Sequence, residues 1–175
     1  MVQQMAECEV FYAKYNHTHV LKLVGDIRLR SSKPLEDFYK FYLNDLINTA
    51  DTSIQLIIDA TEVTGLDSTA LGLLAQIAIR FNEKTQEKPG LVCISKSIQK
   101  IITAVNFNEL FWVINKAELP LATLKLIEKE IQETETETEI AARALQAHRI
   151  LMSLSEANKQ QFLPVVKFLE QELKK

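Results

Sequence analysis

Apolar residues recur along the chain with two different periods, and the switches between them mark out its elements. Glu9-Val10-Phe11-Tyr12-Ala13 and His19-Val20-Leu21-Lys22-Leu23-Val24 are β-prone runs on either side of the turn pair Asn16-His17. They predict an antiparallel hairpin that ends at Gly25. From Lys33 to Asn48 the period becomes helical. Leu35, Phe38, Tyr39, Tyr42, Leu43 and Leu46 form one stripe, with Pro34 in the first turn. After a loop from Asn48 to Ser53, Ile54 to Ile58 is the most continuously apolar stretch, as expected of a central strand covered on both faces. Asp59 is expected to end it. A second helix is predicted from Thr69 to about Lys84, with Ala70, Leu73, Leu74, Ile77, Ala78 and Phe81 on one face. Pro89-Gly90 breaks the chain before the strand Leu91-Val92-Cys93-Ile94. Ser97 is expected to cap a third helix, with Ile98, Ile101, Ile102 and Val105 facing inward. A turn at Asn106–Glu109, a last strand at Phe111–Ile114 and a fourth helix from Leu119 to Gln132 complete the unit. This order predicts an α/β fold: a mixed, mostly parallel β-sheet of about five strands packed by about four helices.

The pattern changes after residue 132. Glu133-Thr134-Glu135-Thr136-Glu137-Thr138-Glu139 combines repelling carboxylates with β-branched residues, and predicts an exposed acidic linker over 133–139. Beyond it, over 140–175, Ile140, Ala141, Ala144, Leu145, His148, Leu151 and Met152 form a helical stripe. Ser155 is placed to cap a further helix carrying Phe162, Val165, Val166, Leu169 and Leu173, which Pro164 should break or kink. His148 is most simply an interfacial helix residue. Two amphipathic helices cannot bury their faces alone. This C-terminal helical extension must pack back on the domain 1–132, pair with a second copy as a homodimer, or receive a partner.

Composition narrows the function. A chain of 175 residues, 47% hydrophobic and 25% charged, is one ordinary domain with an appendage. A net charge of −3 gives no basic face for nucleic acid. Cys8 and Cys93 lie in apolar strand-like runs and are expected to be buried reduced thiols. Met1 to Glu7 lacks a basic region followed by an apolar core, so no signal peptide is expected. No run approaches the roughly 20 apolar residues of a membrane span. The expectation is a cytoplasmic protein without membrane insertion. His17 and His19 have no acidic or cysteine partners nearby, so no metal site is expected. The four glycines do not cluster into a phosphate-cradling loop. No Ser-His-Asp order is evident, and no histidine base for Ser68 stands out. The chain is therefore expected to be a binding protein without a cofactor, not an enzyme.

The stretch that organises the rest is Leu66-Asp67-Ser68-Thr69-Ala70-Leu71-Gly72. It joins the buried strand to the second helix. Asp67, Ser68 and Thr69 thus sit at a helix mouth, where free N–H groups and the dipole favour an anion. Each is a good N-cap, but three in a row exceed what capping needs. Asp59, at the expected strand end, occupies the place of a receiver-domain phosphoacceptor, but the accompanying early acidic pair and late lysine are not well placed.

Ile57-Ile58-Asp59-Ala60, a spacer, and then Asp67-Ser68-Thr69-Ala70-Leu71-Gly72 resemble the signature of the STAS family, the bacterial anti-sigma-factor antagonists and their relatives. The resemblance spans roughly Cys8 to Gln132. Ala70 departs from the usual glycine. Gly25-Asp26-Ile27-Arg28 stands where the family carries a Gly-x-x-Asp turn, with Arg28 in place of the acid and Asp26 two residues early. The resemblance implies a STAS fold and phosphorylation at Ser68, with Thr69 as the alternative. It implies partner contacts from Asp67, Thr69, Ala70, Leu71 and Gly72, and from a neighbouring loop with Asp26 and Arg28. It implies an anti-sigma factor, often a serine/threonine kinase, that binds the unphosphorylated form and leaves the phosphorylated one, and a PP2C-type phosphatase that resets it. A STAS scaffold or transporter-associated subunit that is never phosphorylated is the other class implied.

Overall fold

The computed structural model describes residues 8–49, 53–114, 125–126 and 135–174. Strands β1 (Glu9–Tyr15) and β2 (Thr18–Ile27) form the predicted antiparallel hairpin. Its turn uses Asn16 at φ 53°, a left-handed conformation that asparagine tolerates. β2 runs parallel to β3 (Gln55–Leu66), which runs parallel to β4 (Gly90–Val92), and β4 to β5 (Trp112–Ile114). Asp59 does not end its strand. β3 continues to Leu66, and the Asp59 carboxylate turns back onto the Thr61 N–H and hydroxyl at 2.9 and 2.7 Å. That local bonding lets a buried acid sit inside a strand.

A sixth strand, β6 (Lys125–Leu126), pairs antiparallel with β1. The described sheet therefore has the order β5-β4-β3-β2-β1-β6. This corrects the expected fourth helix over Leu119–Gln132 at the two described residues: pairing there covers what would otherwise be the open edge of β1. The rest of that segment lies outside the described residues.

The first helical stretch is α1 (Lys33–Asp37), a π-helical turn (Phe38–Tyr42) and α2 (Leu43–Ile47). α3 (Ser68–Thr85) follows β3, and α4 (Lys96–Ala104) follows β4. The α4 cap is Ser95 rather than Ser97, its hydroxyl accepting from the Ile98 N–H. Phe38, Phe81, Phe107, Phe111, Leu21 and Ile58 are among the largest fully buried side chains of the core.

Helices α5 (Glu137–Leu154) and α6 (Glu156–Glu172) form the C-terminal hairpin, and α5 lies against α3. Leu151 and Phe162 join the same core as the sheet. The extension thus packs back on its own domain. α5 begins inside the stretch expected to be a linker, because Thr136 and Glu139 form a reciprocal capping box that satisfies two amide donors. Ser155 caps α6 as expected. α6 runs through Pro164 without ending, its buried side resting on Phe162 and Val166.

Candidate functional site

The joint between β3 and α3 is Asp67, extended at φ −92° and ψ 175°. One carboxylate oxygen accepts from the Ala70 N–H at 2.9 Å and caps α3. The other accepts from the Leu29 N–H at 2.7 Å. The Asp67 N–H donates to the Ile27 carbonyl at 3.2 Å. One side chain therefore ties the loop after β2 to the mouth of α3. In that loop Arg28 Nε donates to Asp26 at 2.7 Å, and the Arg28 side chain is 57% exposed. A Cβ on Gly65 would lie 2.2 Å from that Asp26 oxygen, so the pair approaches the strand closely only because residue 65 is glycine.

Ser68 is the first residue of α3 and is half-buried. Its Oγ lies 2.8 Å from Nε2 of His148 on α5. The other ring nitrogen, Nδ1, lies 2.6 Å from the Ala144 carbonyl. A carbonyl only accepts, so Nδ1 carries the proton. In the neutral ring Nε2 is then the acceptor, and the Ser68 hydroxyl donates to it. The sequence showed no histidine partner for Ser68; the fold supplies one from 80 positions away.

The other residues expected at the site are mostly covered. Thr69, Ala70 and Leu71 are buried, at 2%, 0% and 3% exposure. Gly72 lies against α5, where a Cβ would meet Ala147 at 2.4 Å. Asp67 and Asp26 are half-buried, and Arg28 is exposed.

Arg143 fixes α5 beside this site. Its side chain is 1% exposed. It donates to Glu36 at 3.0 Å and to the Leu29 carbonyl at 2.9 Å, and it pairs with Glu135. Burial pushes the Glu36 carboxyl up, but Lys40 and Arg143 outweigh it and hold the group below its ordinary range. Arg30 bridges to Glu137 at the start of α5 in an exposed pair. The loop after β2 is thus shared between α3 and α5.

The model of the STAS domain matches residues 13–119. The chain belongs to the STAS domain family. The match is shorter than the resemblance read from Cys8 to Gln132, and it leaves α5 and α6 outside the domain that defines the family. None of the curated proteins matches the chain significantly. In this STAS protein the hexapeptide Asp67–Gly72 stands at the β3–α3 joint beside the loop after β2, as the resemblance implied. The hairpin that covers it is an addition to the family's unit.

Cys8 and Cys93 are both buried, and burial pushes the Cys93 thiol up. Among the described residues no group of three or more His, Cys, Asp or Glu is arranged to hold a metal. Among them, too, no helix is long and apolar enough to cross a membrane.

Proposed function

We propose that this STAS protein is a phosphorylation-switched binding protein of the anti-sigma-factor antagonist type, with Ser68 as the switched residue. One observation carries the reading: Ser68 opens α3 beside a capping Asp67 that is shared with the loop after β2. A phosphoryl group there adds about −1.5 to −2 charge at a point where the helix dipole favours it. Thr69 is the weaker candidate, because it is buried and Ser68 is only half-buried. Asp67, Asp26 and Arg28 stand around the same point. Gly72 would reach a partner only with α5 displaced, and Thr69, Ala70 and Leu71 are buried. The partner is an anti-sigma factor or serine/threonine kinase that binds the unphosphorylated chain, and a PP2C-type phosphatase restores that form.

The protein acts by binding, not catalysis. The Ser68–His148 pair has the spacing of a nucleophile and its base, but the helix that brings the base also covers the serine. An open groove of about 550 Å³ lies at the opposite end of the sheet, against Ile54, Leu56, Gly90 and Trp112.

A second reading, a scaffold that is never phosphorylated, has in its favour the cover that α5 lays over Ser68. Phosphopeptide mass spectrometry after incubation with candidate kinases and ATP separates the two. Label on Ser68, lost in Ser68→Ala, supports the switch. Pull-downs should then show constitutive binding by Ser68→Ala and poor binding by Ser68→Asp. Label on Thr69 alone, or equal binding by both variants, removes Ser68 from the mechanism.

A further inference from the structure

We propose that a phosphoryl group on Ser68 and the docked α5–α6 hairpin exclude one another, so that modification uncovers the face of α3 bearing Ser68, Gly72 and Gln76. The proposal rests on the Ser68 reading above and concerns what the modification does to this chain.

Space is the first reason. His148 Nε2 lies at hydrogen-bond distance from Ser68 Oγ, and the terminal oxygens of a phosphoryl group would occupy the place of that nitrogen. The ring has little room to retreat. It is 6% exposed, its Nδ1 is bonded to Ala144 on its own helix, and its edge packs on Phe162 of α6 at 5.7 Å between centroids. To move the ring is to move the hairpin.

Charge is the second reason. The His148 Nδ1 is spent on Ala144, so only Nε2, the atom that now meets the Ser68 hydroxyl, faces the new group. The nearby cations are already matched: Arg143 by Glu36 and Glu135, Arg30 by Glu137, and Arg28 by Asp26. A dianion held under α5 would lose hydration at a place where the arginines are already paired.

The docked state also carries a cost of its own. Gln76, one helical turn beyond Gly72 on the same face of α3, buries its amide nitrogen with no hydrogen-bond partner. Asn158 on α6 buries its side-chain oxygen likewise. Opening the hairpin returns both to water. The close seat of Ala147 on Gly72 makes docking sensitive to small displacement, because no slack separates the two backbones.

The test uses the full chain in three forms: wild type, Ser68→Ala, and a chain with phosphoserine installed at position 68 during translation. Amide hydrogen exchange is followed by mass spectrometry in β3, α5 and α6. In the phosphoserine chain, exchange in α5 and α6 should quicken on the order of tenfold or more while β3 keeps its protection. Ser68→Ala should stay near wild type, since it loses one hydrogen bond and gains no charge. Unchanged or increased protection of the hairpin in the phosphoserine chain overturns the proposal. Equal loss across β3 and the hairpin also overturns it, because the claim is selective release. No kinase enters this measurement. Failure of kinase labelling would sink the functional reading and leave this result standing, and the reverse also holds.

Discussion

Gly72 and Ala147 meet backbone to backbone: a Cβ on Gly72 would lie 2.4 Å from the Ala147 carbonyl oxygen and 2.5 Å from its Cα. Gly→Ala inside an exposed helix ordinarily gains about 1 kcal/mol. Here the sign should reverse. Gly72→Ala must push α5 off α3, and overpacking of this kind costs about 1–3 kcal/mol. Thermal unfolding should show a lower midpoint, with earlier proteolysis in the hairpin. A raised midpoint would mean that α5 does not sit on Gly72.

Arg143→Ala tests the anchor. The guanidinium is buried and serves Glu36, Glu135 and the Leu29 carbonyl at once. Its loss strands those groups and should cost about 3 kcal/mol in chemical denaturation. The loss should fall on hairpin docking, with faster exchange in α5 and little change in β3. An effect under about 0.5 kcal/mol, typical of a surface pair, would remove Arg143 as the anchor.

Acid should loosen the same contact. Glu36 has a depressed pKa in the folded chain, so the stability it contributes is present above the ordinary glutamate value of 4.5 and is lost as pH falls through the folded value. Hairpin protection should therefore decline as pH drops below that value, and Glu36→Gln should flatten the decline. A wild-type profile that stays level through this window would show that the Glu36–Arg143 bridge does not hold the hairpin.

Asp67→Ala removes the cap of α3 and the acceptor for Leu29 together. The expected loss is about 1–2 kcal/mol. Asp67→Asn, which keeps a side-chain oxygen for one of the two donors, should fall between wild type and alanine. Calorimetry of the three proteins checks the order.

Local pattern made most of the domain legible. The inward stripe on α3, from Ala70 to Phe81, is buried as read, because a 3.6-residue period leaves one answer for a helix beside a strand. The opposite side of α3 was harder to read. Thr69 and Gly72 resemble a face kept for a partner, and in the fold they are buried by the chain itself. No period links Ser68 to His148 across 80 positions, so their contact was not visible. One missed signal was local: Thr136 and Glu139 have the spacing of a capping box, hidden within a run of alternating threonine and glutamate. Two residues of the expected fourth helix became β6, where pairing with β1 outweighed the helical pattern.

The tether between the domain and its hairpin has a quantitative consequence. A helix joined to the chain that it covers competes at an effective concentration in the millimolar range, whatever the abundance of free protein. An outside ligand for the α3 face binds with its intrinsic affinity reduced by the fraction of chains that are open. The hairpin therefore sets a threshold. Residues remote from Ser68, such as Phe162 against His148 or Asn158 against the Val105 carbonyl, tune that threshold without touching the ligand. On the proposed reading, the sensitivity of the switch is written into α6.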